Sequence, residues 1–376
     1  MNRWTSRLLR PVRRQSAEVY LLLMLLSFAA SLTLTRLLLY LTGYPQLGGA
    51  NLHIAHVLWG GLILFVAALL PLIFVNRWAH AAGAVLSGLG IGLFIDEVGK
   101  FITQSNDYFY PGAAPLIYAF FLLAVLLYLR VRRPHRPDAR AQLYHALDTL
   151  EEVLDHHLEP DERDDLLTRL RYVSTRTDQP DLARLAQNLL AFASASDLHL
   201  TPETSGLLRR WEVGLRALEA RWLPWARLRV VVILGLASLG GIALFRLGKV
   251  VAVAGSAAGL QQLLADQMAT GHVASAGALG WLLARMALEG AVGILLVVAA
   301  ILVLVRRERA GLQLGSLGLL LTLTTVNLLV FYFEQFSTIA WAVLQFGVLL
   351  ALMRYQRLGI RRNVDALRRI SERKSA

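Results

Sequence analysis

The sequence contains no cysteine. That absence excludes a disulfide framework, a Cys-type zinc site and a thiol nucleophile, and it leaves no redox clue to compartment. Charge is scarce too, at 17% of 376 residues, and the 26 acidic residues are outnumbered by 38 Lys and Arg. There is no Gly-rich phosphate loop, no H-E-x-x-H, no G-x-S-x-G, and no aromatic-basic platform for nucleic acid. The basic excess has a different origin. Arginines crowd the ends of apolar runs, as membrane topology requires, so the expected partner is a lipid bilayer and no nucleic acid.

What the chain has instead is apolar length: 56% of its residues are hydrophobic. Several windows of roughly 20 apolar residues predict an all-α, polytopic helical membrane protein of about eight spans. The first run, Val19–Leu41, follows Arg3, Arg7, Arg10, Arg13 and Arg14. It exceeds the roughly 7–15 apolar residues of a signal peptide and reads as a retained span. Leu52–Val75, Ala79–Thr103 and Gly112–Val131 complete an N-terminal membrane half, residues 1–133.

From Pro134 the chain turns charged and amphipathic, and residues 134–222 read as a cytoplasmic helical insertion. Leu143, Leu147, Leu150, Leu154 and Leu158 recur at helical spacing along Asp138–Leu158. Two helices follow over Asp161–Val173 and from Asp178-Gln179-Pro180 to Phe192, and Thr201-Pro202-Glu203 opens a fourth, to Trp222. A bundle of this kind is a candidate docking site for a cytosolic protein. Spans resume at Trp225–Leu247, Ala276–Val305, Gly311–Phe333 and Ser337–Arg354, a C-terminal half over residues 223–355. Residues 356–376 form a basic amphipathic tail suited to a membrane surface. Val250–Met268 is ambiguous, re-entrant or interfacial; a ninth crossing there would export the Arg-rich tail. With eight spans nearly every arginine falls on one side, which predicts cytoplasmic N- and C-termini.

The unusual chemistry lies between Asn51 and Tyr110. His53 and His56 begin the second span, and Asp96, Glu97 and Lys100 end the third. Counting a rise of about 1.5 Å per residue, His56, Asp96, Glu97 and Arg36 share one level roughly 7–11 Å inside the membrane, away from the cytoplasm. His53, His56, Gly60 and Ala67 continue one face of the second span. Ala84, Gly88, Gly92, Asp96 and Lys100 recur every fourth residue on the third, a spacing at which small residues let helices approach closely. Glu97 is turned about 100° from Asp96, toward a different neighbour.

Three readings of this cluster stay open. In one, His53, His56 and Asp96 bind a divalent metal and Glu97 is the catalytic base of a membrane enzyme. In another, His56 and Glu97 titrate along a proton or ion path, as in transporters. In the third, Lys100 and Arg36 neutralise the acids in a structural ion-pair knot, within a scaffold or sensor. Asn106-Asp107 with Tyr108, Phe109 and Tyr110 can cap the site or form an interfacial aromatic belt. In the second half, Arg285 and Glu289 are spaced i, i+4 for an internal salt bridge or, alternatively, Glu289 is a coupling charge facing a cavity, and Glu334 ends the seventh span at the outer level. His145, Asp148, Glu152 and His156 form a polar stripe on the insertion, read as a solvated face.

The strings His53-Ile-Ala-His56-Val-Leu-Trp59-Gly60-Gly61 and Phe94-Ile-Asp96-Glu97-Val-Gly99-Lys100-Phe101-Ile102-Thr103, with Asn106-Asp107-Tyr108-Phe109-Tyr110, resemble an uncharacterised family of bacterial multi-pass inner-membrane proteins. The resemblance covers roughly Leu52 to Tyr118 and implies an inner-membrane location without bringing an activity. The membrane metal-hydrolase superfamily that includes alkaline ceramidases fits less well. It needs an H-x-x-x-H pair in a late span, where this chain has only His272, in a loop.

Overall fold

The computed structural model describes residues 11–43, 55–132, 138–156, 158–177, 179–195, 200–201, 225–254, 276–334 and 339–375. His53, the helix expected over 202–222 and most of Val250–Met268 lie outside them. Among the described residues the chain is helical throughout, without a strand. In order the helices are α1 Ala17–Thr42, α2 His56–Ile73, α3 Arg77–Asp96, α4 Val98–Ile102, α5 Ala113–Arg132, α6 Ala139–Leu154, α7 Pro160–Arg176 and α8 Pro180–Ala193. Then come α9 Trp225–Ala254, α10 Ala276–Leu304, α11 Glu308–Leu321, a π-helical turn Thr322–Val326, α12 Asn327–Glu334 and α13 Ile339–Ser375.

Among the described residues, eight spans of helix are long and apolar enough to cross a membrane: α1, α2, α3, α5, α9, α10, the α11–α12 rod and the first part of α13. The protein is therefore an all-α, polytopic membrane protein. Its largest exposed side chains agree: Leu34, Leu38, Leu62, Phe65, Leu72, Leu123, Leu234 and Phe245 all point outward. In water such a surface would aggregate, whereas lipid tails accept it.

The contacts divide the chain into two compact units, Met1–Glu97 with Leu123–Trp211, and Val98–Leu122 with Glu212–Ala376. In the first unit α3 lies between α1 and α2, because it carries small residues on two faces. A side chain at Gly88 would collide with Ser27 and the Met24 carbonyl of α1, and one at Gly92 would come within 2.7 Å of Ser31. On the other face, a Cβ at Gly90 would stand 2.9 Å from the Gly60 carbonyl of α2, and one at Gly60 would meet the Phe94 nitrogen at 2.8 Å. The Ser31 hydroxyl donates to the Leu89 carbonyl at 3.0 Å, tying α1 to α3 where no side chain intervenes. Small-residue contact of this kind replaces the hydrophobic drive that lipid cannot supply.

Helices α6–α8 of the same unit bury a core of their own: Leu143 and Ala146 against Leu166, Leu170, Val173, Ala186 and Ala193. The expected leucine stripe is only partly used. Leu147 and Leu154 are exposed, and α6 stops at Leu154, so Leu158 is buried beyond its end. Helix α7 starts on Pro160, with the Glu162 carboxylate accepting from the Glu159 N–H at 3.3 Å.

In the second unit α9, α10, α11 and α13 surround a core that includes Leu228, Val232, Leu236, Leu296, Ala299, Val303, Leu319 and Leu352. Two features depart from expectation. The seventh span holds the π-helical turn, in which the Asn327 N–H reaches back to the Thr322 carbonyl. The basic tail is no separate element, because α13 continues without a break to Ser375. Past Arg354 it meets good helix formers and no proline, so nothing in the sequence ends it.

Candidate functional site

Three helices deliver the buried cluster of the first unit. Arg36 comes from the last turns of α1, His56 is the first residue of α2, and Asp96 is the last of α3. All three helix ends are the ones away from the Asn76–Arg77 turn, as a chain that crosses and recrosses demands. Asp96 and Glu97 are 0% and 1% exposed, so their charges have left water altogether. Buried carboxylates persist only with close partners.

Those partners are explicit. The Arg36 Nε donates to Asp96 Oδ1 in a short contact, and its Nη2 donates to the Asp96 carbonyl at 3.1 Å. His56 Nε2 lies 3.0 Å from Asp96 Oδ2, and His56 Nδ1 lies 2.9 Å from Glu97 Oε1. One imidazole thus bridges two carboxylates on consecutive residues. The helical reading of Glu97 as turned to another neighbour does not hold, and the reason is local. Helix α3 ends at Asp96, and Glu97 takes φ −91° and ψ 9°, which swings its side chain back toward His56.

The ring geometry bears on chemistry. The two nitrogens of an imidazole point in different directions, so carboxylates on opposite edges do not meet at one ion with that ring. Among the described residues no three His, Asp or Glu side chains converge on a point suited to a metal. For His56, each nitrogen at hydrogen-bond distance from a carboxylate is fully served only when both carry protons. A neutral ring donates to one acid and leaves the other facing a lone pair.

The remaining predicted residues fall into other roles. Lys100 sits on α4, its ammonium 5.4 Å from the centre of the Tyr108 ring. Asp107 builds its own loop: its N–H donates to the Thr103 hydroxyl at 2.8 Å, and its carboxylate accepts from the Phe109 N–H at 2.9 Å. Gly99 is needed beside it, since a Cβ there would stand 2.8 Å from the Asp107 carbonyl. Arg285 and Glu289 form the expected i, i+4 ion pair at 3.8 Å. Arg285 also makes a short contact with Glu334, and Glu289 lies 3.3 Å from Arg246.

On the insertion, His145 spends both nitrogens on the chain, with the Arg13 carbonyl at 2.9 Å and Arg169 Nη1 at 3.1 Å. Glu152 pairs with Arg77 at 2.9 Å, and the same guanidinium reaches Glu162 at 3.2 Å. Asn76 donates to Asp155 at 3.0 Å. Arg77 opens α3, the helix whose other end holds Asp96. Its length of 20 residues spans about 30 Å, so one rod joins the helical insertion to the buried cluster. The sequence offered Arg77 only as a topology marker.

Sequence reasoning also missed a polar group in the second unit. Tyr118 donates to the Leu323 carbonyl at 2.6 Å, a carbonyl inside the π-helical turn. Asn327 donates to the Tyr118 oxygen at 3.3 Å and to the side-chain Oε1 of Gln345 at 2.7 Å. An asparagine within an apolar span was the available signal. The fold and its sites define a multi-pass helical membrane protein with a buried His–carboxylate–arginine centre. Compared with family models, with curated proteins and with solved structures, the chain matches none.

Proposed function

We propose that the Arg36–Asp96–His56–Glu97 cluster is a proton-binding centre in an inner-membrane transporter or channel, on the side away from the cytoplasm. The observation that carries this reading is the single imidazole held between two buried carboxylates. Arg36 already balances one acid. An imidazole with a proton on each nitrogen donates to both carboxylates, whereas a neutral ring donates to one and turns a lone pair to the other, so the gain and loss of one proton is the change this geometry couples to. The cationic loops at the Arg77 and Arg306–Arg307 turns support an orientation with those turns cytoplasmic.

A metal-dependent membrane enzyme built on His53, His56 and Asp96, with Glu97 as base, is the competing reading. It requires His56 to release at least one carboxylate. Vesicles reconstituted with the full-length protein and loaded with a pH-sensitive dye distinguish the two. The expected result is proton flux under an imposed gradient, lost in His56→Gln and Glu97→Gln variants that still fold. Flux that is absent, or unchanged in both variants, removes the proton reading. A stoichiometric metal lost on His56→Ala would put the enzyme reading in its place.

A further inference from the structure

The second unit holds a cavity of about 60 Å³, room for a few water molecules or a ligand of a few heavy atoms. Its walls are apolar, but Thr322, Asn327 and Gln345 line it in the membrane-spanning part, and Arg246, Glu289 and Trp341 line it toward the far ends of α9 and α10 from the Val305–Arg307 turn. Thr322 begins the π-helical turn, an irregularity that frequently marks functional sites in membrane helices.

The Arg246 side chain shows what this mouth accepts. Its guanidinium lies 5.9 Å from the centre of the Trp341 ring and 3.3 Å from Glu289. A flat aromatic face beside a carboxylate is the chemistry that holds a small organic cation. Arg246 fills that position as a tethered occupant. Of the pair, Arg246 is the weakly held member, 44% exposed against 18% for Glu289. When Arg246 swings out to water it leaves the Glu289 carboxylate and the Trp341 face to another monocation; the more buried Glu289 is the less ready to leave and admit an anion.

We infer that this cavity is a binding site for a small organic monocation of the ammonium or guanidinium class. Glu289 is its counter-ion, Trp341 its aromatic face, and Arg246 a competitor built into the chain. The amides of Asn327 and Gln345 offer hydrogen bonds deeper in the cavity. The inference stands on the second unit alone and does not depend on the proton-binding reading.

The test is calorimetric titration of the full-length protein in lipid nanodiscs with methylammonium, guanidinium, acetate and acetamide. Both cations are expected to bind, and acetate and acetamide are not. Arg246→Ala removes the tethered competitor and should tighten methylammonium binding by roughly tenfold or more. Adding Glu289→Gln to that variant should abolish it. Should Glu289→Gln fail to fold, the gain in Arg246→Ala remains decisive alone. Preference for acetate, weaker methylammonium binding in Arg246→Ala, or no cation binding to either wild type or Arg246→Ala would overturn the proposal.

Discussion

Each unit places two acids and their cationic partners at the ends of membrane helices, and the two arrangements are built for different work. In the first, Asp96 and Glu97 are fully buried and share a histidine, with one arginine fixing Asp96. In the second, Glu289 and Glu334 are 18% and 36% exposed and pair with arginines. An arginine stays charged at any pH a protein survives, so these ion pairs can exchange partners without taking up a proton. Histidine is the side chain whose charge changes near neutrality, so the proposed proton chemistry belongs to the first set. Burial sets the stakes. Separating a buried pair strands a charge, while a half-exposed pair lets water replace the lost partner.

The contrast has measurable size. Asp96→Ala takes the carboxylate from the Arg36 Nε and from the Nε2 edge of His56 and should cost about 3–5 kcal/mol of stability. Glu334→Ala takes the closest carboxylate from the buried Arg285, which keeps Glu289 at 3.8 Å, and should cost less, about 1–3 kcal/mol. Unfolding of the purified protein in mixed micelles, followed by circular dichroism, reads both; equal losses would erase the difference between the units. Helix contact gives the next largest pair. Gly88→Ala drives a methyl into Ser27 and the Met24 carbonyl and should cost about 1–3 kcal/mol. Gly241→Ala in α9 meets nothing within 4 Å and should be neutral or stabilising by up to about 1 kcal/mol.

Smaller effects belong to the helical insertion. Arg77→Ala frees Glu152 and Glu162 and should cost about 1 kcal/mol, with faster proteolysis within residues 139–193 under native conditions. Unchanged proteolysis would show that the ion pairs do not hold α6 and α7 to the Asn76–Arg77 turn. The smallest change involves Glu151. Burial, and then the neighbouring Asp148 charge, raises its carboxyl above the usual glutamate range, against a lowering pull from Arg77 and Arg14. A raised folded value means the folded state holds the proton longer, so this group's contribution to stability falls as pH rises through that window. Glu151→Gln should therefore raise the melting temperature slightly at pH 7 and flatten its pH dependence just above the ordinary carboxylate range.

Spans were readable from composition because lipid imposes a length and a polarity that few other environments do. The small-residue faces of α3 were readable too, since Gly88, Gly92 and Asp96 recur every fourth residue and do meet α1. Partner choice was harder. The i, i+4 rule joined Arg285 to Glu289, and that ion pair forms at 3.8 Å, but the rule could not show that Arg285 also meets Glu334 and Glu289 also meets Arg246. Helical periodicity turned Glu97 away from Asp96, because periodicity assumes a helix that in fact stops one residue earlier. Tyr118 meets the Leu323 carbonyl of the π-helical turn across 205 residues, and no local pattern encodes that.

The central claim concerns the protonation of one ring. Nitrogen NMR of the full-length protein with labelled histidine, the His56 signal identified by its loss in His56→Gln, reports that ring directly. The account predicts both nitrogens protonated at the acidic end of the range in which the protein stays folded, and one proton lost toward the alkaline end. Glu97→Gln should alter the Nδ1 signal and the transition with it, because it removes the carboxylate 2.9 Å from that nitrogen. A His56 ring that keeps one protonation state throughout, or a transition indifferent to Glu97, would contradict the account.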